Sequence, residues 1–469
     1  MPKLSAELFT VPLPEANDKY IVYAPLRQAA FVANTSAVNF IADLQEEIID
    51  KQADLDGSFI ELLRRLEIVD GGDEVRPVTE FHGDPEPTDI TLFLTTACNL
   101  RCTYCYASAG DMPLRNMTFD IAKKGIDFIL KNAIKKGVKH IEVNYHGGGE
   151  PTVNWKVMTE SLYYAQAVAS EHNIRVVSSC ASNGVLNDKQ IDWIVENLNG
   201  VSLSFDGLPE VHDRNRPTVG GKGSSEKAIH TMHRFDEAEF PYGVRVTVTH
   251  DQIEYLSDSV AFICSQFRPQ NIQVEPAYQM GRWKEAPSAE TASFIEAYRS
   301  AQYIARQHGK EIAFSGARLG MLSNHFCGVT QDSFCLTTEG KVSGCYETFM
   351  DENEWSKTFF YGTPTPNNEG YSFDLPVLNH LRQQAVQHRE FCKGCFAKWT
   401  CGGDCYHKSL TVNGETEFQG TDRCHIIREL TKDQILQKIA LSGGFFWHEE
   451  LPTISESAAK GKELLIGKF

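Results

Sequence analysis

The spacing of apolar residues changes near residue 90, and the change divides the chain. Before it, Tyr20 to Tyr23 and Ala29 to Val32 are β-prone runs joined by the turn-like Ala24-Pro25-Leu26-Arg27, which predicts a hairpin. In Ser36 to Asp50 and Gly57 to Leu66 apolar residues recur at three and four, which predicts two helices. Hairpin plus helices predicts a small winged-helix-like module over residues 1–85. The polar, Pro- and Gly-containing stretch Asp70 to Pro87 reads as a linker.

From Ile90 short β-prone runs appear at Ile90 to Thr96, His140 to Tyr145, Arg175 to Ala181, Val201 to Phe205, Gly243 to Thr249 and Asn271 to Ala277. Between and after them lie helix-length segments: Thr118 to Lys136, Trp155 to His172, Asp188 to Asn197, Ser225 to Glu239, Ile253 to Phe267 and Ser288 to His308. Six strands alternating with six helices predict an α/β fold, a parallel sheet with right-handed crossovers in the manner of a partial (β/α)6 barrel. In such folds chemistry gathers at the carboxyl ends of the strands. The unusual residues fall there: Cys98-Asn-Leu-Arg-Cys102-Thr-Tyr-Cys105 after the first strand and His146-Gly-Gly-Gly-Glu150-Pro151 after the second. Ser182-Asn183-Gly184 follows the third, and Ser204-Phe-Asp206-Gly207 with His212 to Arg216 follows the fourth. Gly220-Gly-Lys-Gly-Ser-Ser225 lacks phosphate-loop spacing and reads as a surface turn.

Charge and cysteine content narrow the function. A formal net charge of −17 over 469 residues disfavours nucleic acid as the main partner, since that would call for a basic face. No run approaches 18 uncharged apolar residues, and the amino terminus lacks the apolar core of a signal peptide, so the expected location is the cytoplasm, away from membranes. In that reducing setting the 13 cysteines are read as metal ligands or small buried hydrophobes rather than disulfides. Cys180 and Cys264 lie in apolar strand and helix segments, where packing is the default.

Cys98, Cys102 and Cys105 suffice for three irons of a four-iron cluster and leave the fourth without a protein ligand. A zinc loop would normally pair C-x2-C elements with a fourth local Cys or His. Together with the glycine loop, this stretch resembles the radical S-adenosylmethionine (SAM) enzymes, whose C-x3-C-x-φ-C pattern matches Cys98, Cys102, Tyr104 and Cys105. The resemblance implies that Tyr104 lies near the adenine and that Gly148, Gly149 and Glu150 receive the methionine amino group. It further implies ribose contacts at Ser182 and Asn183, and ribose or carboxylate contacts at Ser204, Asp206 and Arg216. Methionine would then complete the open iron, and reductive cleavage of SAM would give a 5′-deoxyadenosyl radical that abstracts an unactivated hydrogen.

A second array follows: Cys327, Cys335, Cys345, then Cys392-x2-Cys395-x5-Cys401-x3-Cys405, and Cys424. Eight thiols suffice for two further four-iron clusters. In isolation C-x2-C-x5-C-x3-C could equally hold zinc. Behind a radical SAM loop, C-x12-G-x4-C, C-x2-C-x5-C-x3-C and a final Cys resemble the SPASM extension. That resemblance implies Cys327, Cys345 and Cys405 for auxiliary cluster I and Cys392, Cys395, Cys401 and Cys424 for auxiliary cluster II. Cys335 either completes cluster I or leaves it an open iron for a substrate thiolate. The implied cofactors are three 4Fe–4S clusters and SAM.

The expected organisation is a precursor-recognition module at 1–85, a radical SAM barrel at 86–310, a SPASM domain at 311–440 and a tail at 441–469. A hairpin-and-helices module before such a barrel is similar to the element by which maturases of ribosomally made peptides capture a leader as an added strand. The run Phe334 to Glu347 also resembles maturases that form thioether links. The expected activity is therefore Cys thioether crosslinking in a precursor peptide, with an electron donor such as flavodoxin or ferredoxin. The alternatives are C–C crosslinking, an anaerobic sulfatase-maturing enzyme that makes formylglycine, and, outside catalysis, a zinc-binding or cluster-based redox sensor. Tyr346, Glu347 and Asp404 stand beside the second array, but no catalytic acid or base is assigned.

Overall fold

The computed structural model describes residues 3–46, 57–287, 289–366, 370–415 and 417–446. In the amino-terminal part β1 (Phe9–Pro12), β2 (Tyr20–Ala24) and β3 (Ala29–Ala33) form an antiparallel meander, followed by α1 (Thr35–Gln45) and α2 (Gly57–Arg65). The predicted hairpin is present, with Pro25–Arg27 as a 3-10 turn and Gln28 in the left-handed region at φ 46°. Asn34 caps α1 by accepting the Ala37 N–H, which stops one end of that helix. The predicted helix extension over 47–50 lies outside the described residues. Alternation along β2 sends Val22 and Ala24 toward the two helices, where Phe40, Ile41, Leu63 and Leu66 pack, and Ile21 and Tyr23 to the opposite face.

The central sheet begins with β4 (Asp89–Leu92), α3 (Phe119–Lys136), β5 (His140–Tyr145), α4 (Trp155–Ser170), β6 (Arg175–Ser182), α5 (Asp188–Asn197) and β7 (Gly200–Ser204). It continues through α6 (Pro209–Asn215), α7 (Ser225–Glu237), β8 (Tyr242–Val248), α8 (Leu256–Gln266), β9 (Asn271–Pro276) and α9 (Thr291–Gln307). All six expected strands pair in parallel and in chain order. Ser288, the expected start of the last helix, lies outside the described residues. On β8, Val244, Val246 and Val248 join the main core, leaving Arg245 and Thr247 for the other face. Cys180 and Cys264 are core residues, as their apolar settings predict.

The sheet does not stop at residue 310. β10 (Ile312–Ala313) adds in parallel beside β9. At the opposite edge β11 (Cys335–Leu336) runs parallel to β4, followed antiparallel by β12 (Val342–Ser343), β13 (Phe360–Pro364), which follows α10 (Ser356–Phe359), and β14 (Tyr371–Phe373). The result is an open sheet of eleven strands. Then come α11 (Leu375–Arg382), α12 (Lys398–Cys401), α13 (Tyr406–Asn413) and α14 (Asp422–Leu441).

Two connections differ from the sequence expectation. Asp70 to Pro87 has no regular structure, yet it is strapped to the carboxyl-terminal third. Asn324 donates to Thr79 O at 2.9 Å and accepts from Thr79 N at 3.2 Å, and Arg382 donates to Gly83 O at 2.9 Å. At the other end, Ile435 and Ile439 of α14 pack on Ile21, Tyr23 and Ala30. Beyond them β15 (Phe445–Phe446) pairs antiparallel with β3 at Phe31 and Ala30. The start of the predicted tail thus belongs to the amino-terminal sheet; residues 447–469 lie outside the described residues. Among the described residues no helix is long and apolar enough to cross a membrane.

Candidate active site

The parallel strands place the three-cysteine loop and the glycine loop side by side. Gly149 N–H donates to Thr95 O at 2.9 Å and Glu150 N–H to Ala97 O at 2.8 Å, so the two loops are joined main chain to main chain. This approach requires glycine, because a Cβ on residue 149 would fall 2.0 Å from Ala97 O. Glu150 is buried, and its carboxylate accepts from Ser182 Oγ (3.0 Å), Asn183 N (2.8 Å) and Thr152 Oγ1 (2.8 Å). Burial pushes its pKa up against those hydrogen bonds, so it is a carboxylate still short of a cationic partner.

Asn183 bridges to the cysteine loop, with Nδ2 at 2.7 Å from Asn99 Oδ1 and 3.7 Å from Cys98 Sγ. Leu100 N–H also points at Cys98 Sγ, at 3.4 Å. Burial, together with the Glu150 charge, pushes the Cys98 thiol up to about 12, and burial takes Cys102 to about 11. Thiols so reluctant to ionise alone suit sites where a bound metal supplies the compensating positive charge. Arg282 holds the loop from outside, donating to Cys102 O at 2.9 Å and to Ala109 O. Sequence reasoning missed Arg282, since it lies in a short turn after β9 with no motif around it.

Tyr104, Asp206 and Arg216 also meet. Arg216 makes a bidentate pair with Asp206 at 3.0 and 3.1 Å, Tyr104 OH donates to the same carboxylate, and the guanidinium lies 5.1 Å from the Tyr104 ring centre. Asn215 Nδ2 and Thr247 N add donors at 3.1 Å each. Burial alone would raise the Asp206 pKa, but Arg216 outweighs it and holds the group ionised. Ser204 stands half-buried at the end of β7, outside this network.

The second array divides in space. Cys392, Cys395, Cys401 and Cys424 line one cavity with apolar walls that include Val386, Phe418 and Ile427. Cys327, Cys345 and Cys405 act electrostatically on one another, each pushed up by burial. Cys335 lies on β11, packed among Phe93, Ala107, Phe349 and Met350 and 3.4 Å from Ser333 Oγ; the thiol that bears on it is Cys327.

The two arrays approach one another where Cys98, Cys105 and Tyr106 of the first loop pack in one cluster with Cys335 and Tyr346. Tyr106 is driven up first by burial and then by the charges of Glu347, Cys105, Cys345 and, in opposition, Arg245, so both cysteine arrays bear on one side chain. His146 stacks on Tyr346 at 4.9 Å, and burial with Arg245 lowers its pKa to about 4. Glu347 would be raised by burial, but Lys408, His407 and Arg245 pull it well below the usual range. The donor sets fit iron–sulfur clusters: thiols in groups, buried or half-buried, with main-chain and amide N–H groups aimed at sulfur.

Residues 92–263 match the model of the Radical SAM superfamily. The chain is 28% identical over 177 residues to the sporulation killing factor maturation protein SkfB of Bacillus subtilis (strain 168), covering 37% of this chain and 39% of SkfB. It spans about half the length or less of the curated relatives it matches, 39% to 57% for three of them. The structure of native anSMEcpe with bound AdoMet superposes with a TM-score of 0.60 at 18% identity, over 76% of this chain and 99% of that one. Streptococcus suis SuiB bound to precursor peptide SuiA gives 0.52 at 13% identity, over 90% and 99%. At these identities the likeness is one of fold.

Proposed function

Residues 92–263 are a radical SAM domain, and from that premise we propose that the chain is a peptide maturase joining a cysteine sulfur to a carbon of a ribosomally made precursor. The observation that carries this reading is the single packed cluster in which Cys98, Cys105 and Tyr106 of the first loop meet Cys335 and Tyr346 of the carboxyl-terminal third. Cys98, Cys102 and Cys105 would hold the cluster that binds SAM, and Glu150 would receive the methionine ammonium that its burial calls for. When bound, cluster and SAM supply a carbon-centred radical able to take hydrogen from an unactivated C–H bond. The chain's own part is to hold the loops in register through Gly149 and Asn183, to pack half-buried Tyr106 and Tyr346 against the cysteine loop, and to keep Glu347 ionised beside Cys345. Cys392, Cys395, Cys401 and Cys424 would hold auxiliary cluster II; Cys327, Cys345 and Cys405 would hold cluster I, which Cys335 either completes or leaves with an open iron. Flavodoxin or ferredoxin would supply electrons, in the cytoplasm.

SuiB is described with a bound precursor peptide, and a peptide partner is proposed here on that likeness. Leader capture by the amino-terminal sheet meets a constraint, because the edge beyond β3 is already filled by β15. Among the described residues the sheet's outer strands are β1 and β15, and β1, four residues against two, is the longer edge for an added strand.

Incubating the reduced, cluster-loaded chain and SAM with the precursor encoded beside its gene is expected to give a peptide about 2 Da lighter per link, with one cysteine per link protected from alkylation. The same mass loss with cysteines still open to alkylation would identify a C–C crosslink, and an aldehyde would identify formylglycine. Separately, Gly149→Ala is expected to slow 5′-deoxyadenosine formation by about 100-fold, since displacing Glu150 by even about 1 Å misplaces the reactants. Its Cβ has only main chain to push against. A rate within twofold of the wild type would remove Gly149 from the site.

A further inference from the structure

We infer that His407 is the hydrogen-bond donor that sets the reduction potential of the auxiliary centre at Cys345; this rests on the assignment of Cys327, Cys345 and Cys405 to a cluster made above. His407 lies on α13 two residues after Cys405, and Glu347 lies two residues after Cys345. Cys345, Glu347 and His407 converge so that one ligand atom of each falls within 4.8 Å of the others. His407 Nδ1 is 3.6 Å from Cys345 Sγ and 3.1 Å from Glu347 Oε2, and the Glu347 N–H reaches the same sulfur at 3.4 Å. The imidazole is buried, with its ring 5.2 Å from that of Phe359.

The chemistry of the sulfur decides the direction of the bond. An iron-bound thiolate carries no hydrogen and only accepts, so Nδ1 must carry the proton. Glu347 keeps it there by standing beside the same nitrogen, and Lys408 Nζ, 3.9 Å from Glu347 Oε1, keeps that carboxylate company. Cys345 thus has the Glu347 main-chain N–H aimed at its sulfur and shares the one His407 Nδ1–H with Glu347 Oε2. Hydrogen bonds to cluster sulfurs withdraw electron density from iron and favour the reduced, more negative state, which raises the potential.

A competing arrangement has similar dimensions. Metal bonds of about 2.3 Å to sulfur and about 2.0 Å to nitrogen place tetrahedral ligands about 3.5 Å apart, so one zinc ion would also fit Cys345, Glu347 and His407. Such an ion would leave Cys327 and Cys405 without a role, although both bear electrostatically on Cys345. The three-thiol grouping favours the cluster with His407 outside it.

The test uses the full chain loaded with iron and sulfide under anaerobic conditions, with metal analysis and potentiometric titration followed by EPR, for wild type, His407→Leu and His407→Gln. The expected result is about twelve irons in all three proteins, a lower potential for one cluster in His407→Leu with the other two unchanged, and partial recovery in His407→Gln, whose amide also donates. Unchanged potentials at full iron content overturn the inference and leave the cluster assignment standing. One zinc per chain with about eight irons in the wild type overturns the assignment and the inference with it. On the wild type alone, ¹⁵N-histidine labelling is expected to give a weak hyperfine coupling in the reduced cluster. A strong coupling, as from a nitrogen bound to iron, or none at all overturns the inference even if the variants do not fold.

Discussion

Replacing Cys98, Cys102 and Cys105 together by alanine is expected to abolish 5′-deoxyadenosine formation while the chain retains about eight of its roughly twelve irons. The effect should be that large because the three thiols sit on one loop and no other cysteine belongs to it. Cys392, Cys395, Cys401 and Cys424 line their own cavity, and Cys327, Cys345 and Cys405 bear on one another. The fold should tolerate the change. The loop is held by main-chain bonds at Gly149 and Glu150 and by Arg282 on carbonyl oxygens, none of which uses a cysteine side chain. Iron analysis, circular dichroism and chromatography of the SAM digest check it together. Loss of nearly all iron in a folded chain would mean that the arrays are not independent, and residual 5′-deoxyadenosine would place the SAM site elsewhere.

Sequence periodicity reached furthest where secondary structure is long and regular. Asp188–Asn197 and His140–Tyr145 have the predicted bounds, since the strand begins just after the Gly137 cap that ends α3 and the helix just after the Asn187 cap. Asn187 and Gln190 close a reciprocal capping box at the start of α5. In the carboxyl-terminal third β11 and β12 are two residues each, too short to carry a period, and the place of β11 beside β4 depends on a partner more than 200 residues away. The same limit explains β15: nothing in two phenylalanines after a glycine pair says which strand they will meet. Within the site, spacing found the groups but not their pairing. Asp206 and Arg216 were expected as separate contacts to SAM, whereas the fold engages each with the other and with Tyr104. Glu150, Ser182 and Asn183 do converge, because parallel pairing of β5 with β6 brings their carboxyl ends level.

Arg423→Met is expected to destabilise the chain by about 3–5 kcal/mol, the cost of leaving buried charge without its partner. Arg423 is 3% exposed and stands between two buried carboxylates, 2.8 Å from Asp404 and 3.1 Å from Glu275, with further bonds to Ser315 Oγ at 3.1 Å and Tyr278 OH. It precedes Cys424, and Asp404 precedes Cys405, so this cation ties the end of β9 to one cysteine of each auxiliary group. Burial alone would raise the Glu275 pKa; Arg423, then Lys408 and Arg245, outweigh it and hold the group at about 2. Because the folded value is depressed, its stabilisation is present above the ordinary 4.5 and is lost as pH falls from 4.5 toward 2. Without Arg423 the main counter-charge is gone and burial should raise the carboxyl above 4.5. Protonation then favours the folded variant, so the gap between wild type and Arg423→Met should narrow as pH is lowered from 7 toward 4.5. Urea midpoints at several pH values measure this, and adding Glu275→Gln in the Arg423→Met background should recover part of the loss, since it removes one of the two stranded charges. A gap that stays constant across pH, or a double variant less stable than the single one, would show that Arg423 acts through packing against Tyr278, Phe314 and Phe326 rather than through charge.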